Sequence, residues 1–415
     1  MIKLMIKLIA LASAAALLVF TLRRLLFTLA IFLPRRKEAD NQKNSPASAY
    51  LPSILILIPC RDEERMIPGL CESIDRLDYP REKYQVVLID DASRDSTAAR
   101  MEHCARQRPN WSVIALHDNV GKAAALNYGV EHVSYGEIIY ILDADHRPEP
   151  DVLKVVSRYF ADPKVAGVGG NTEPLNPLAS PSAYYSAMEN YLHRLVTMRA
   201  KDNLGLAPVL MGSNCGYRRE ALEKCHGFKN GALLEDLDLT IKFYEAGYQI
   251  RFVEDATAYH QVPETVRGYL DQHIRWARGF GDVSKDQMPS LLASKEVPVK
   301  LRVELLLFSS GYLDRMAMVV ATILTGLSFL NARMFSFPRQ ILSLALVTPM
   351  VQIIAFLIKE KMPVPMWLRL PWIPVYYLLD IYASFRGICD SLMNRPRKWR
   401  QTERARGNSY AWKKE

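Results

Sequence analysis

Cysteine is scarce in this chain: six among 415 residues, at Cys60, Cys71, Cys104, Cys215, Cys225 and Cys389, none in a Cys-x-x-Cys spacing. That pattern points away from a structural zinc site or a disulfide framework and toward a reduced compartment. No internal repeat and no low-complexity tract occurs; the one obvious linker is the polar stretch Glu38 to Ser48. No nucleic-acid module signature accompanies the positive charge. No phosphate-binding P-loop is present either, because Gly121-Lys122 lacks the second glycine and the Lys-Ser/Thr pair.

What the chain does have is an uneven distribution of charge and apolar residues. It carries 53 Lys and Arg against 44 Asp and Glu, a net charge of +9. The basic clusters stand beside apolar segments at both ends, which suits contact with anionic lipid. Leu8 to Leu22 is an uncharged run long enough for about 22 Å of helix, short of the roughly 30 Å hydrocarbon core. Arg23-Arg24 interrupts it, and a second apolar run reaches Leu33. One tilted or snorkelling span is expected, with Arg35-Arg36-Lys37 on the cytoplasmic side. A cleaved signal peptide would share the early lysines, but not Arg23-Arg24 and the apolar run behind them.

Past Leu301 three apolar segments follow: Met316 to Leu330, extended by the amphipathic Val303 to Tyr312; Arg339 to Ile358; and Pro365 to Ile388, which carries Asp380 and Arg386. The tail "NRPRKWRQTERARG" is strongly basic and is expected in the cytoplasm. Three crossings would place it outside, so one of the three segments is expected to lie in the interface or re-enter, unless the tail breaks the charge rule.

Between about residues 50 and 300, "SILILIPC", "YQVVLIDDAS", "WSVIALHD" and "EIIYILDAD" are short buried strands separated by helical patterns, Ser96 to Arg106 among them. This spacing predicts an α/β fold with a parallel, doubly wound sheet. Three of the strands end in carboxylates: Asp62, Asp90-Asp91, and Asp143 with Asp145. Ligands of open α/β sheets bind beyond the carboxyl ends of the strands. Carboxylates gathered there repel one another unless something positive sits between them, and a divalent cation with a phosphorylated ligand fits. Asp143 and Asp145, two residues apart in extended chain, can face one ligand, and hard oxygens suit Mg²⁺ or Mn²⁺. By itself Asp-x-Asp is also ordinary turn chemistry; its place after a buried strand favours the ligand reading.

In "NVGKAAALNYG", Lys122 opens a helix where it could meet a phosphate or simply be a surface lysine after a turn. In "GALLEDLDLTIKFYEAGYQI", Glu235, Asp236 and Asp238 stand in a helix's first turn. They suit its dipole, and a carboxylate held there could equally serve as a general base. In "DQHIRWARGF", Gln272, Arg275 and Trp276 share one helix face. Arg can bind phosphate and Trp can stack on sugar; an amphipathic helix on a membrane surface with a snorkelling Arg is the other reading.

Taken in order, "IPCRDEE", "LIDDASRDST", "GKAAALN", "LDADHRPEPD", "GSNCGYRREAL", "EDLDLTIKFYEAGYQI" and "QHIRW" resemble the family-two glycosyltransferases with a GT-A fold. Within them they are similar to the membrane-embedded, often processive branch of poly-N-acetylglucosamine, hyaluronan and cellulose synthases. The resemblance covers roughly residues 52 to 280. It implies a Rossmann-like GT-A domain over 51–300 between an N-terminal membrane segment (1–37, linker 38–50) and C-terminal interfacial and transmembrane helices (301–390), with a basic tail from 391. It further implies that Asp62, Asp90 and Asp91 contact the uridine of a UDP-sugar, that Lys122 lies by the nucleotide, and that Asp143 and Asp145 hold ribose, diphosphate and Mg²⁺ or Mn²⁺, Asp145 as direct ligand. Asp236 would be the general base of an inverting displacement. Glu235, Gln272, Arg275 and Trp276 would serve the leaving diphosphate and the acceptor end.

The implied enzyme sits in a bacterial inner membrane with its catalytic domain in the cytoplasm. It uses UDP-N-acetylglucosamine, builds a β-linked polysaccharide coupled to export, and leaves room for a small membrane partner subunit; nucleic acid is not a partner. Single addition to a membrane lipid is the alternative, since ceramide glucosyltransferases share Gln-x-x-Arg-Trp. A catalytically decayed scaffold is a third reading, opposed by intact Asp91, Asp145, Asp236 and Arg275. The chain departs from the family in having Leu234 where Thr often precedes the Glu-Asp pair. Only about 27 residues follow Ile388, so no appended nucleotide-sensing domain is expected.

Overall fold

Strands buried on both faces need no alternation of polar and apolar residues, and the four apolar runs fold accordingly. The structure is a computed structural model describing residues 1–34, 50–330 and 337–395. The strands are β1 Ile54–Cys60, β2 Tyr84–Asp90, β3 Trp111–Ala115, β4 Ile138–Ile141, β5 Arg147–Pro148, β6 Val165–Pro174, β7 Cys215–Arg218 and β8 Gln249–His260. They form one eight-stranded sheet in the order β3-β2-β1-β4-β7-β6-β8-β5. Leu55, Leu57, Val87 and Ile89 enter the core on one face, and Ile54, Ile56, Ile58, Val86 and Leu88 the core on the other, the period-two pattern of extended chain.

The helices are α1 Ile2–Ala30, α2 Ile67–Asp75, α3 Thr97–Arg106, α4 Lys122–His132, α5 Val152–Ser157, α6 Pro181–Tyr191, α7 Arg199–Asn203, α8 Arg219–Lys224, α9 Glu235–Glu245, α10 Val266–Ala293, α11 Val299–Ser309, α12 Leu313–Leu330, α13 Arg339–Lys359, α14 Val364–Trp367 and α15 Ile373–Leu392. A π-helical segment, Leu192–Met198, joins α6 to α7.

The expected parallel sheet holds for β3-β2-β1-β4. The other half is mixed: β7 runs antiparallel to β4 and β6, and β5 antiparallel to β8. The glycines of β6 and β7 explain why these strands do not read as apolar runs. A Cβ on Gly170 would lie 2.4 Å from the Ala256 carbonyl oxygen, and one on Gly167 2.8 Å from Leu210 Cδ1, so close approach excludes larger residues.

Helix α1 runs unbroken through Arg23-Arg24. Both arginines are ion-paired: Arg23 with Glu304 through Nε (3.0 Å) and Nη2 (2.6 Å), Arg24 with Asp314 (3.1 Å). Arg23 and Arg24 are thus neutralised by the start of the C-terminal helices. Leu4–Ala30 and Arg339–Lys359 are each long and apolar enough to cross a membrane, and α11 with α12 forms a pair bent by 63° that would add a third crossing. The expected span Pro365–Ile388 is not among them. It breaks into α14, a short turn and α15, and α15 carries Asp380, Arg386 and Asp390. Helix α15 packs along α10 instead, so tightly that a Cβ on Gly387 would lie 2.6 Å from Ala277 Cβ. The linker (except Tyr50) and the tail beyond Arg395 lie outside the described residues.

Glu304 also pairs with Lys201 at 3.0 Å, and Lys201 is fully buried. Burial pulls the Lys201 ammonium down to about 8, with Glu304 opposing. Glu304→Ala would leave two cations, Lys201 and Arg23, without their shared carboxylate. The expected loss is about 3–5 kcal/mol, the usual cost of removing one partner of a buried pair. It should be visible as a lower thermal midpoint of the detergent-purified protein; an unchanged midpoint would show that the cluster does not hold α1 to α11.

Candidate active site

The loops after β1 and β2 are tied to one another. Asp62 lies in the left-handed region (φ 54°). Its N–H donates to Ser93 Oγ (3.0 Å) and its carboxylate accepts from the Arg94 N–H (2.7 Å). Asp90, buried, accepts from the Ser93 N–H (3.3 Å). Asp91, equally buried, turns to the next loop: it accepts from the N–H groups of Val120 (2.7 Å) and Gly121 (3.0 Å) and from the Asn119 side chain. Gly121 has φ +84° with open space around its Cα, so backbone conformation rather than crowding requires glycine there. This turn delivers Lys122 as the first residue of α4.

Lys122 is not a surface lysine. Its Nζ donates to Asp143 Oδ1 (2.7 Å) and to the Gly212 carbonyl (2.8 Å), and lies 3.7 Å from Glu235. Burial works against its charge, but Asp143, Glu235 and Asp236 prevail and hold it above the ordinary lysine range. The β4–β7 pairing brings the 212–214 loop beside Asp143, whose N–H donates to Ser213 Oγ (2.8 Å). Gly212 has φ +73°, and a Cβ there would lie 3.1 Å from Asp236 Oδ2, so this glycine leaves room for the Asp236 carboxyl.

The three acidic residues at the start of α9 have separate fates. Glu235 is buried on the Lys122 side. Asp238, buried, bonds Gln287 of α10 and pairs with Lys242 (2.8 Å), which makes it an anchor between helices. Asp236 accepts from the Leu237 N–H through Oδ1 (2.8 Å). Burial first, then the Glu235 charge, raise its carboxyl to about 7, against the pull of Lys122. A carboxyl poised there is suited to proton transfer near neutral pH.

Asp143, Asp145 and His146 bring their ligand atoms within 4.8 Å of one another and could hold a metal ion. His146 Nδ1 lies 3.2 Å from Asp145 Oδ1, and its ring stacks on His260 at 5.3 Å. Burial and the His146 neighbour keep His260 neutral, at about 3. An oxygen-rich set with one imidazole fits a divalent ion such as Mn²⁺ or Mg²⁺. Buried Arg194, from the π-helical segment, donates to the Gly170 carbonyl; burial draws it down to about 10 while Asp236 and Asp143 act the other way.

The structure thus brings Lys122, Asp143, Glu235 and Asp236 together, with Asp145 two residues from Asp143, while Asp62, Asp90 and Asp91 organise the adjoining loops. Gln272, Arg275 and Trp276 are half-buried on α10. That helix reaches the pocket at Gly279, where a Cβ would lie 2.6 Å from Leu234 Cγ, immediately before Glu235. The sequence reading missed Gly212, Ser213, His146, His260 and Arg194. Only "GSN", a turn signal before a strand, and the His directly after Asp-x-Asp could have flagged any of them.

An open α/β sheet that gathers carboxylates and an ion-paired lysine at its strand ends, between apolar helices, has the layout of a GT-A transferase. The chain belongs to the family described as "Glycosyltransferase like family 2", whose profile matches residues 52–279. It is 29% identical over 233 residues to a probable glycosyltransferase, YdaM, of Bacillus subtilis, covering 55% of each chain. It is 26% identical over 254 residues to the poly-beta-1,6-N-acetyl-D-glucosamine synthase of Staphylococcus aureus, covering 60% of each. The match thus spans little more than half the length of these relatives. In fold it is similar to a Pyrobaculum calidifontis mannosyltransferase solved with GDP-Man and Mn²⁺, with TM-score 0.66 and 21% identity over 95% of this chain and all of that one.

Proposed function

We propose that the enzyme transfers N-acetylglucosamine from its UDP donor to the end of a growing β-linked polysaccharide, with inversion at the anomeric carbon and export through the membrane helices. The observation that carries this reading is the Asp236 carboxyl, raised to about 7 and set against the Lys122–Asp143 pair. The likeness to a poly-beta-1,6-N-acetyl-D-glucosamine synthase supports the choice of sugar and polymer.

In this mechanism Asp62, Asp90 and Asp91 hold the uridine, and Lys122 and Asp143 the ribose and diphosphate. Asp236 removes the proton of the acceptor hydroxyl as its oxygen bonds to the anomeric carbon. The bond to the diphosphate breaks on the opposite face, and UDP leaves with the electron pair. Gln272, Arg275 and Trp276, with Glu235 behind Lys122, receive the diphosphate and the acceptor end. Asp145, with Asp143 and His146, would hold a divalent ion, which supplies positive charge against the diphosphate.

With α1, the bent α11–α12 pair and α13 as crossings, an even number of crossings separates the catalytic region from the end of α15, which supports a cytoplasmic side for both. Transfer of one sugar to a membrane lipid is the second reading, favoured by the apolar helices α1 and α13 that would hold the catalytic region against a bilayer.

The test uses membranes containing the protein, Mn²⁺ or Mg²⁺, and radiolabelled UDP-N-acetylglucosamine, UDP-glucose, UDP-glucuronate and GDP-mannose in turn. A high-molecular-weight product from UDP-N-acetylglucosamine is expected. Label confined to an organic-extractable lipid would replace the polymer by the lipid reading, and incorporation from GDP-mannose alone would overturn the donor. The base assignment also fixes the pH dependence. Asp236 must be ionised to accept a proton, so kcat/KM should rise with pH through about 7 and fall about tenfold per unit below it. A profile flat from about pH 5 to 8, across the Asp236 value of about 7, would remove Asp236 from the role.

A further inference from the structure

Helix α10 carries a buried histidine inside the motif that serves the acceptor. His273 is 3% exposed and held at every side. Its Nδ1 lies 2.9 Å from the Tyr269 carbonyl oxygen and its Nε2 2.7 Å from Glu189 Oε2 of α6. The Tyr269 ring stacks on it at 3.9 Å, and the Trp276 ring meets it edge-on at 4.9 Å. Asp380 of α15, fully buried, completes a group in which Glu189, His273 and Asp380 place ligand atoms within 4.8 Å of one another. Asp380 Oδ2 is bonded by Arg315 Nε of α12 (2.7 Å), and Arg315 also reaches Asp314, the partner of Arg24.

A carbonyl oxygen can only accept, and so can an ionised carboxylate. With Glu189 ionised, which the His273 charge favours against the burial that raises its carboxyl, both ring nitrogens face acceptors, and the ring that satisfies both is an imidazolium. The charges agree. Glu189 and Asp380 contribute two negatives and Arg315 one positive, since Asp314 and Arg24 balance each other; a proton on His273 closes the count. A metal ion could use the same three side chains, but the 2.7 Å Glu189–His273 contact is a direct hydrogen bond and Arg315 already neutralises Asp380.

We propose that His273 is a positioning residue: an imidazolium clamped by Glu189 and the Asp380–Arg315 pair, which fixes the Trp276 ring for the acceptor and ties α10 to α6, α12 and α15. The proposal rests on the acceptor role given to Trp276 above. Burial opposes the His273 charge, but Glu189 outweighs it and lifts the group above the ordinary histidine range. The clamp is therefore complete below the ordinary histidine value and is lost as pH rises through that raised value. The groups facing it are Glu189 from α6, Asp380 from α15, Arg315 from α12 and the Tyr269 carbonyl from α10 itself.

The test measures steady-state kinetics on purified full-length protein with UDP-N-acetylglucosamine and an N-acetylglucosamine oligosaccharide acceptor, for the parent, His273→Phe, Glu189→Gln and Trp276→Ala. His273→Phe keeps a ring of similar size but no hydrogen bond. It should raise the acceptor KM about tenfold, the scale of a displaced positioning group, with the donor KM unchanged and kcat within about threefold. Glu189→Gln should do the same more mildly, which covers the case in which the phenylalanine variant fails to fold. In the parent the acceptor KM should climb on the alkaline side, and that climb should vanish in His273→Phe.

Equal losses in donor KM, acceptor KM and kcat would mean a merely structural role and overturn the proposal. Retention by the EDTA-washed parent, incubated with Mn²⁺ or Zn²⁺, of one ion that His273→Phe and Glu189→Gln lose would overturn it in favour of a metal site. If Trp276→Ala leaves the acceptor KM untouched, the acceptor reading of the motif fails and the proposal with it. If Trp276→Ala raises that KM and His273→Phe does not, the clamp alone is wrong.

Discussion

Asp236→Asn is expected to lower transfer by about a thousandfold, within the usual range for a lost general base, while donor affinity stays within about threefold. The substitution is almost isosteric. Asn keeps an Oδ1 acceptor for the Leu237 N–H, and the amide nitrogen takes the place of Oδ2 in the space left by Gly212. What disappears is the basic oxygen that burial and Glu235 have raised to about 7. In the proposed mechanism the donor is held by other residues, so titration with UDP-N-acetylglucosamine should still saturate. Glu235→Gln is the comparison. Glu235 is buried and faces Lys122 at 3.7 Å, so its loss should perturb the lysine and the donor rather than remove the base. If Asp236→Asn retains near-normal turnover and Glu235→Gln does not, the two roles are exchanged.

How far such roles could be read in advance depended on the kind of contact behind them. Strands β1, β2 and β4 are legible because a parallel strand buried on both faces must be a continuous apolar run, and each delivers its carboxylate where the run stops. Strand β6, "VAGVGGNTEP", is not legible: Gly167 and Gly170 are demanded by Leu210 and by the Ala256 carbonyl, which are remote in sequence. Lys122 looked like a surface lysine after a turn because its partners Gly212 and Glu235 lie about a hundred residues on. Arg23-Arg24 looked like a break in an apolar helix for the same reason; the partners that make them tolerable, Glu304 and Asp314, are 281 and 290 residues away. Acidity at strand ends is a local property and showed in the sequence. The pairing that sets each residue's charge and direction is long-range and did not.

That same pairing decides the effect of removing divalent cations. Asp143, Asp145, Glu235 and Asp236 bring four carboxyls to one pocket, and the cation bonded among them is Lys122, already engaged by Asp143. Arg194 is near enough to feel Asp143 and Asp236 but spends its Nη1 on a backbone carbonyl. A donor diphosphate adds further negative charge to a site that is anionic without it. A divalent cation would offset that added charge. Chelation with EDTA should therefore abolish transfer, with at least about a hundredfold loss given the several kcal/mol a bound ion contributes to charge stabilisation. Excess Mn²⁺ or Mg²⁺ should restore it. Asp145→Asn should weaken that rescue, raising the ion concentration needed for half-maximal rate, because its carboxylate lies beside Asp143 and His146 in the cluster. Lys122→Met should leave the ion requirement in place and move the acid limb of the pH profile above about 7, since Asp236 would lose its nearest positive charge. Full activity in chelator would mean that Lys122 and Arg194 alone carry the diphosphate, and the Asp143–Asp145–His146 cluster would then have no part in the reaction.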